Sequence, residues 1–528
     1  MLTASGAVAL AIGGSNQSLF LLTALIATQG SAAIPLLIVG LLLAWAAAPG
    51  WTELSLMWPD RVGGISATCA EAFRPYSPVL ANLTGVCYWW GWVPTCGLTA
   101  LLAASALHSW YLPGIPVAPL AVAIVVAFTV LNLFGIGRVT RVVQMIAVGS
   151  ATLALLSAVL PLLHGDVDPA RAFSWDLTTP FAGVFGGVTS VMAGLYLIGF
   201  AAPAFEAVTC HVGEMVDPKR DLPRSMLVSA GLAGLYFLVL PLVWLGVFGA
   251  PGLSEANGVQ LAQSLGPTFA PLFGELGRSV AIWFLVLNMF HGTVQPLAGA
   301  ARTLSQLADD GLMPRAVQRR NRFGVPWVAT CLTAFCAVLF LLAGDPIWML
   351  AAANFTYLIG IGLPSVAVWL LRRNHPDMPR PWRAPRGTIV LGVAAATVWL
   401  TSTMLGFQQF GLSTVLFGLA LAYSGSIFYF WRSWTDRRRA GLPGVARSLH
   451  LKLTGAMLVV VVLDGAGYVL AVAAVPDTHA TLIAVLEDIF VVVAILSVAV
   501  GLILPGMIAH STIEVTRAAS QLTTGTLA

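Results

Sequence analysis

The chain alternates long apolar runs with short stretches of charge. Runs of about 18 or more apolar residues can cross a hydrocarbon layer roughly 30 Å thick as a helix. Such runs lie near residues 3–28, 31–57, 76–107, 116–136, 139–163, 183–211, 225–250, 276–308, 326–343, 346–371, 387–408 and 411–433, and predict twelve membrane helices. A basic stretch, RSWTDRRRAGLPGVARSLHLK, then leads to two more, near 453–475 and 480–505, giving about 14 in all. Barrel strands would be shorter and would alternate, and only helices satisfy their own backbone inside lipid. The fold class expected is therefore an all-α polytopic membrane protein, its long third and eighth runs crossing at a tilt.

Two runs are interrupted. The first contains IGGSNQS, Ile12 to Ser18, where two glycines and four polar residues break the apolar pattern. The sixth contains GFAAPAFE, Gly199 to Glu206, where Pro203 removes a donor and should push Ala202 out of helical geometry. The breaks stand five helices apart. Discontinuous helices at matching positions of two halves mark the binding site of inverted-repeat transporters, where freed N–H groups meet a carboxylate and freed carbonyls meet an ammonium. Glycine and proline also serve close packing or kinks in membrane helices. What favours a ligand site is Glu206, because an ionisable side chain at membrane depth is costly and faces a partner or a watery cavity. It could hold a ligand's ammonium or carry a proton.

Composition agrees with this reading. Of 528 residues, 58% are hydrophobic and only 9% charged, where soluble domains carry roughly 25%. The net charge of +4 reports topology: Arg61, Arg74, Arg138, Arg141, Lys219, Arg220, Arg224 and the later arginine clusters fall in alternate loops. By the positive-inside rule those loops, and both termini, are expected in the cytoplasm, with the chain in the cell membrane. Nucleic acid is not an expected partner. The start, MLTASGAVALAIGG, has no basic region ahead of its apolar run and predicts no cleaved signal peptide. Cys69, Cys87, Cys96, Cys210, Cys331 and Cys336 lack metal-site spacing and read as small apolar residues. No nucleophile–base pair, phosphate loop or metal motif appears, so no catalytic residue, metal or cofactor is expected.

Other polar residues have two readings. His291 and Gln295, at i and i+4 in the eighth run, and Asn354 in the tenth could reach the site or a proton path, or could satisfy hydrogen bonds between helices. The cluster YWWGW, Tyr88 to Trp92, could line a cavity or pack at an interface.

The exit of the sixth run, HVGEMVDPKRDLPRSM, is similar to a pattern of the amino acid–polyamine–organocation permeases, its His-Val-x-Glu-Met order looking most like the glutamate/GABA antiporter branch. TELSLMWPDRVGGISATCAEAF, ARTLSQLADDGLMPRAVQRRNRFGVP and LRRNHPDMPRPWRAPRG agree with it in order, over residues 1–434. The resemblance implies a leucine-transporter-like 5+5 inverted repeat plus two helices, with a small amino acid or amine as substrate. The family's Gly-Ser-Gly loop falls on Gly14-Ser15-Asn16, flanked by Gly13 and Gln17, with amides for the substrate carboxylate. Phe200 is the family's lid aromatic, and Phe200, Ala201 and Pro203, beside Ala202 and Phe205, would offer carbonyls near Glu206. Asn16 in place of a glycine, and Pro203-Ala204 in place of an apolar-Gly pair, depart from the pattern. Coupling to a proton, to sodium or by exchange is compatible with the sequence, which has lysine only at Lys219 and Lys452.

Past a basic linker at 435–449 and the two-helix segment at 450–508, residues 509–528 (ending STIEVTRAASQLTTGTLA) resemble the first helix of a HAMP signalling linker, with Ser511 in place of its proline. A plain amphipathic tail is the other reading. Asp464, Glu487 and Asp488 could pair within this segment or couple it to the permease. Two functions follow: a secondary carrier working by alternating access, or a membrane receptor of permease fold that passes a shift through the last two helices to a cytoplasmic signalling module or partner after Ala528.

Overall fold

The structure, a computed structural model, describes residues 2–254, 258–343, 346–441, 449–476 and 479–524. It is all helical. The first five helices are α1 (Ala4–Ser18), α2 (Leu22–Gln29), α3 (Ala33–Leu56), α4 (Gly64–Thr68) and α5 (Ala70–Phe73). α6 (Pro78–Trp110), α7 (Val117–Leu133), α8 (Ile136–His164), α9 (Pro169–Ala172) and α10 (Gly183–Ala201) lead into a 3-10 helix, Ala204–Glu214. After it come α11 (Pro218–Gly234), α12 (Leu240–Ser254), α13 (Gly258–Ser264), α14 (Gly266–Phe273) and α15 (Gly277–Asp309). The rest are α16 (Trp327–Phe340), α17 (Pro346–Asn374), α18 (Arg386–Leu405), α19 (Leu412–Arg439), α20 (Leu449–Ala473) and α21 (Ala480–Thr524).

Among the described residues, 11 helical segments are long and apolar enough to cross a membrane, α2 and α3 counting as one, while α7 and α16 are shorter apolar helices. The sequence pattern predicts about 14 runs; three fall short of a separate spanning segment, two because α7 and α16 are brief and the first because α1 has only 15 residues while α2 fuses with α3 through the 3-10 turn at Gly30–Ala32. α6 and α17 are the most deeply buried of the spanning helices, and both α15 and α17 pack extensively on α6. Small residues let these backbones approach, the usual device where lipid removes the hydrophobic drive between helices. Gly91 on α6 backs against Tyr357 of α17, and Gly360 on α17 backs against Tyr88 of α6.

Loops that carry most of the arginines, Arg171 and Arg278 excepted, gather at one end of the bundle, called here the basic end. There Glu53, wholly buried at the end of α3, is bound by Arg372, by Arg380 at 3.2 Å and by the Ala384 N–H at 2.7 Å. A buried carboxylate is tolerable only with such partners, and removing one costs about 3–5 kcal/mol. At the opposite end a cavity of about 620 Å³ is bordered by Gly30, Ser31, Arg171, Asp176 and Thr178. α20 and α21 form a hairpin on the outside of the bundle, held to each other by Tyr468 stacked on Phe490 and donating to Glu487 at 3.0 Å. Of the C-terminal stretch 509–528, the structure describes the helical backbone to Thr524; residues 525–528, and 442–448 of the basic linker, lie outside the described residues.

Candidate functional site

The two expected interruptions turn out differently. α10 ends at Ala201, Ala202 and Pro203 form a turn, and the chain re-enters as an 11-residue 3-10 helix. Ala202 keeps helical dihedrals (φ −63°, ψ −40°), against the expectation that proline would displace it; the change comes at Pro203 itself, where ψ is −5°. The Pro203 carbonyl then accepts from Glu206 N–H at 2.9 Å, an i to i+3 bond. Runs of 3-10 helix beyond 3–4 residues are uncommon and mark hinges or strain.

α1, by contrast, passes through Ile12–Ser18 without unwinding and tightens only afterwards, in a 3-10 turn at Leu19–Leu21. The expected loop of free amides is thus a helix. The side chains of Asn16 and Ser18 bond to neighbouring helices or back along α1 and leave its backbone ladder intact. Ser18 Oγ donates to Gly14 O at 2.7 Å. Asn16 Nδ2 donates to Ser150 Oγ of α8 at 2.7 Å and to His291 Nδ1 of α15 at 2.9 Å. An amide nitrogen can only donate, so Nδ1 accepts and Nε2 carries the hydrogen that bonds Ala9 O at 2.8 Å. His291 therefore ties α15 to α1 in its neutral tautomer.

Gly13 and Gly14 let α1 sit against the site. A Cβ on Gly13 would meet His291 and the Gln295 Cβ, and one on Gly14 would lie 2.5 Å from the Ala204 Cβ and 3.2 Å from the Trp92 ring. Ser15 and Asn16 are buried, and the side chain of Gln17 lies outside the described residues. The Ser15 hydroxyl, Asn16 Oδ1, Gln295 Oε1 and Trp92 Nε1 are buried without a hydrogen-bond partner.

Glu206 is fully buried in the 3-10 segment. Tyr88 donates to it at 2.9 and 3.0 Å, and Tyr357 donates at 3.0 Å. The Cys210 thiol lies 3.1 Å from the Tyr88 hydroxyl. Among the described residues no Lys, Arg or His pairs with Glu206. Trp92, Phe200 and Tyr357 wall the same place, with ring centroids 5.3 Å apart for Trp92–Tyr357 and 5.6 Å for Phe200–Tyr357. Ala201, Ala202 and Phe205 are buried around the turn. Asn354 stands one helical turn before Tyr357 and donates to the Tyr196 carbonyl of α10, so it fastens α17 to the broken helix.

Tyr357 and Cys210 join the site without having been singled out for it, while Tyr88 and Trp92 come from the YWWGW cluster, one of whose two readings is the lining of a cavity. Tyr88 and Trp92 fall four apart, one helical face of YWWGW, which was a readable signal. Trp89 and Trp90 point elsewhere, to Thr333 and Ser424. Nothing in NFTYLIG marks Tyr357.

The basic end is closed over the 3-10 segment. Leu2 N–H donates to Glu214 O at 2.8 Å and Val216 N–H returns to Leu2 O at 3.1 Å, joining the start of α1 to the exit of the break. Arg302 forks onto Glu214 at 2.6 and 2.8 Å, a charge-assisted bidentate pair. Gly63 N–H donates to Cys210 O at 2.9 Å, and Thr303 Oγ1 to Gly63 O at 2.8 Å. Arg61 bridges Glu71 at 2.9 Å and Asp310 at 3.6 Å. Burial lifts the Asp310 carboxyl above the usual carboxylate range, with Arg61 working against that lift.

Known proteins resemble this chain in sequence and in fold. The profile described as "Amino acid permease" matches residues 2–400. The branched-chain amino acid permease of Bacillus subtilis is 25% identical over 59% of this chain and 63% of its own length, so the chain spans a little under two thirds of that relative. The lysine-specific permease of Escherichia coli is 24% identical over 79% of this chain and 88% of its own, and a polyamine transporter of Oryza sativa subsp. japonica is 27% identical over 70% and 67%. Among solved structures, a manganese transporter of Eremococcus coleocola superposes with a TM-score of 0.54 at 14% identity, covering 83% of this chain and 94% of that one, a likeness of fold.

Proposed function

We propose, on the premise that this chain belongs to the amino acid permease family, that it is a secondary transporter carrying an amino acid or related amine by alternating access. The ligand is held where α1 passes the break of α10. Its ammonium faces Glu206, and its apolar part lies against Trp92, Phe200 and Tyr357.

One observation carries this reading: Glu206 is completely buried, is bonded by two phenol hydroxyls, and has no cationic partner among the described residues. A carboxylate at membrane depth is stable only with compensation, and an amine ligand supplies the missing charge. The unpartnered Ser15, Asn16, Gln295 and Trp92 atoms lie on the α1 side of the same place, where a ligand carboxylate or a bound water would find donors and acceptors. The names of the relatives agree at the level of chemistry, since branched-chain amino acids, lysine and polyamines all present an ammonium. The closed basic end and the cavity at the other end suit a carrier resting with its basic side shut. That side is assigned to the cytoplasm by the positive-inside rule, with the chain in the cell membrane.

The test is uptake of labelled amino acids and polyamines into proteoliposomes, with and without a pH gradient, a sodium gradient or internal ligand, beside a thermal-shift screen. Saturable flux of one compound, dependent on Glu206, is the expected result, and the gradient that drives it names the coupling ion. A panel in which nothing binds and nothing moves sinks the reading.

A further inference from the structure

The α20–α21 hairpin lies beyond the stretch matched to the permease family, and lipid contact alone would not require it to touch the site helices. It reaches them at two points, the first through an intervening turn. At the end opposite the basic loops, Gln408 Nε2 in the α18–α19 turn donates to Asp488 Oδ1 of α21 at 2.7 Å and to Ala484 O at 2.9 Å. Its neighbour Gln409 accepts from Gln29 Nε2 at 2.9 Å, and the same Gln29 amide reaches Ser190 O of α10 at 3.3 Å. Gln29 is the last residue of α2, which continues α1 beyond its 3-10 turn. The Gln408–Gln409 turn therefore joins α21 to the outer end of α2, and through Gln29 to Ser190 of α10, so that both helices bearing the candidate ligand site are within its reach.

The second point lies toward the basic end. Leu502 of α21 is buried among Val79, Leu83 and Cys87 of α6 and Ala422 of α19. Cys87 precedes Tyr88, the residue whose hydroxyl holds Glu206. α21 thus spans the membrane along the bundle, bonded at one end to the α18–α19 turn that holds Gln29 of α2 and packed at the other on α6. Past Leu504 its backbone stays helical to Thr524, about 30 Å of further rod at 1.5 Å per residue.

We propose that α21 is a coupling arm. Occupation of the site at α1 and α10 shifts α21 through the Gln29–Gln409 and Gln408–Asp488 contacts, and a force on the helix beyond the membrane biases the site in return, because coupling between two sites is reciprocal. The inference rests on the proposed ligand site for its input; the mechanical link itself does not need a ligand to be tested.

Hydrogen exchange of the full chain in lipid nanodiscs supplies that test. Asp488→Leu removes the acceptor on α21. Exchange at residues 28–33, which Asp488 does not contact, is expected to speed up about fivefold, the loss of one hydrogen bond, while Asp488→Asn, which keeps an acceptor oxygen, stays near the parent. Gln408→Ala gives the same readout from the other partner if Asp488→Leu does not fold. Loosening confined to 405–411 and 484–490 makes the contact a local fastening and overturns the proposal. A second arm adds a mixture of L-leucine, L-lysine and spermidine: exchange in 480–504 should change wherever a thermal shift reports binding, and Gln409→Ala should abolish the change while leaving the shift. Binding without any change in α21 also overturns it. No thermal shift with any of the three counts against the ligand reading alone, and the ligand-free arm still decides the coupling.

Discussion

α1 and α10 carry equivalent-looking breaks in sequence and answer them in opposite ways. In α10 the missing donor of Pro203 sits in the main chain, where no side chain can restore it; here the helix stops at Ala201 and resumes in tighter geometry, whereas α6, α15 and α17 run on through Pro94, Pro296 and Pro364. In α1 the interruption is one of side-chain polarity. Gly13, Gly14 and Asn16 keep their amides in the helix, and the polar groups bond outward to Ser150 and His291. A polar run inside an apolar helix therefore need not unwind it. What it needs is neighbours with matching donors and acceptors, which α8 and α15 supply.

The contrast can be broken at four points. The largest effect belongs to the charge on the broken side. Glu206→Gln should lower ligand affinity by roughly 100-fold, within the 2–5 kcal/mol typical of losing one member of a desolvated charge pair, as read by calorimetric titration; unchanged affinity in both Glu206→Gln and Glu206→Ala would remove Glu206 from the site. Next comes the contact between the two breaks. Gly14→Ala presses a methyl onto Ala204, an overpacking of about 1–3 kcal/mol, and should cut flux about tenfold. Adding Ala204→Gly should restore most of that flux, since the pair only needs one small partner; no recovery would show that the contact is not what matters.

Third, Asn16→Ala deprives α1 of its two outward bonds, worth about 1 kcal/mol each. Exchange at residues 12–18 should rise several-fold and the melting temperature should drop by a few degrees, whereas an unchanged α1 would mean its helix does not depend on Ser150 and His291. The smallest effect is expected from Pro203→Ala. Restoring a donor should raise the melting temperature slightly, by about one hydrogen bond. Over the three residues from 203 to 206, α and 3-10 geometries diverge by roughly 60° in direction. Ligand affinity should therefore fall as stability rises, and a rise in both would contradict the hinge role of the break.

Much of the architecture was legible. Length and polarity of the runs are local properties, and in lipid a long apolar run has no alternative to a helix, so the order of spans from the first run to the α20–α21 hairpin could be read directly. Fusions such as that of α2 with α3 were not, because a 3-10 turn and a loop have similar sequences. Glu206 and Pro203 stood out for the same reason the spans did: each violates the rule of its surroundings. The partners of Glu206 did not. Tyr357 lies 151 residues away in an ordinary apolar helix, and only the packing of Gly91 and Gly360 brings its ring beside Tyr88.

The sequence by itself determined that this is an all-helical membrane protein whose sixth apolar run carries a proline and an uncommon carboxylate, since long apolar runs in lipid have no stable form but the helix. The tertiary structure alone decided that α1 stays helical, that two phenols hold Glu206, that Glu214 and Arg302 join the basic end, and that α21 reaches the site helices through Gln408 and Gln409. Each of these depends on which groups face one another across helices. Hydrogen-bond partners hundreds of residues apart leave no mark on the local pattern of either one.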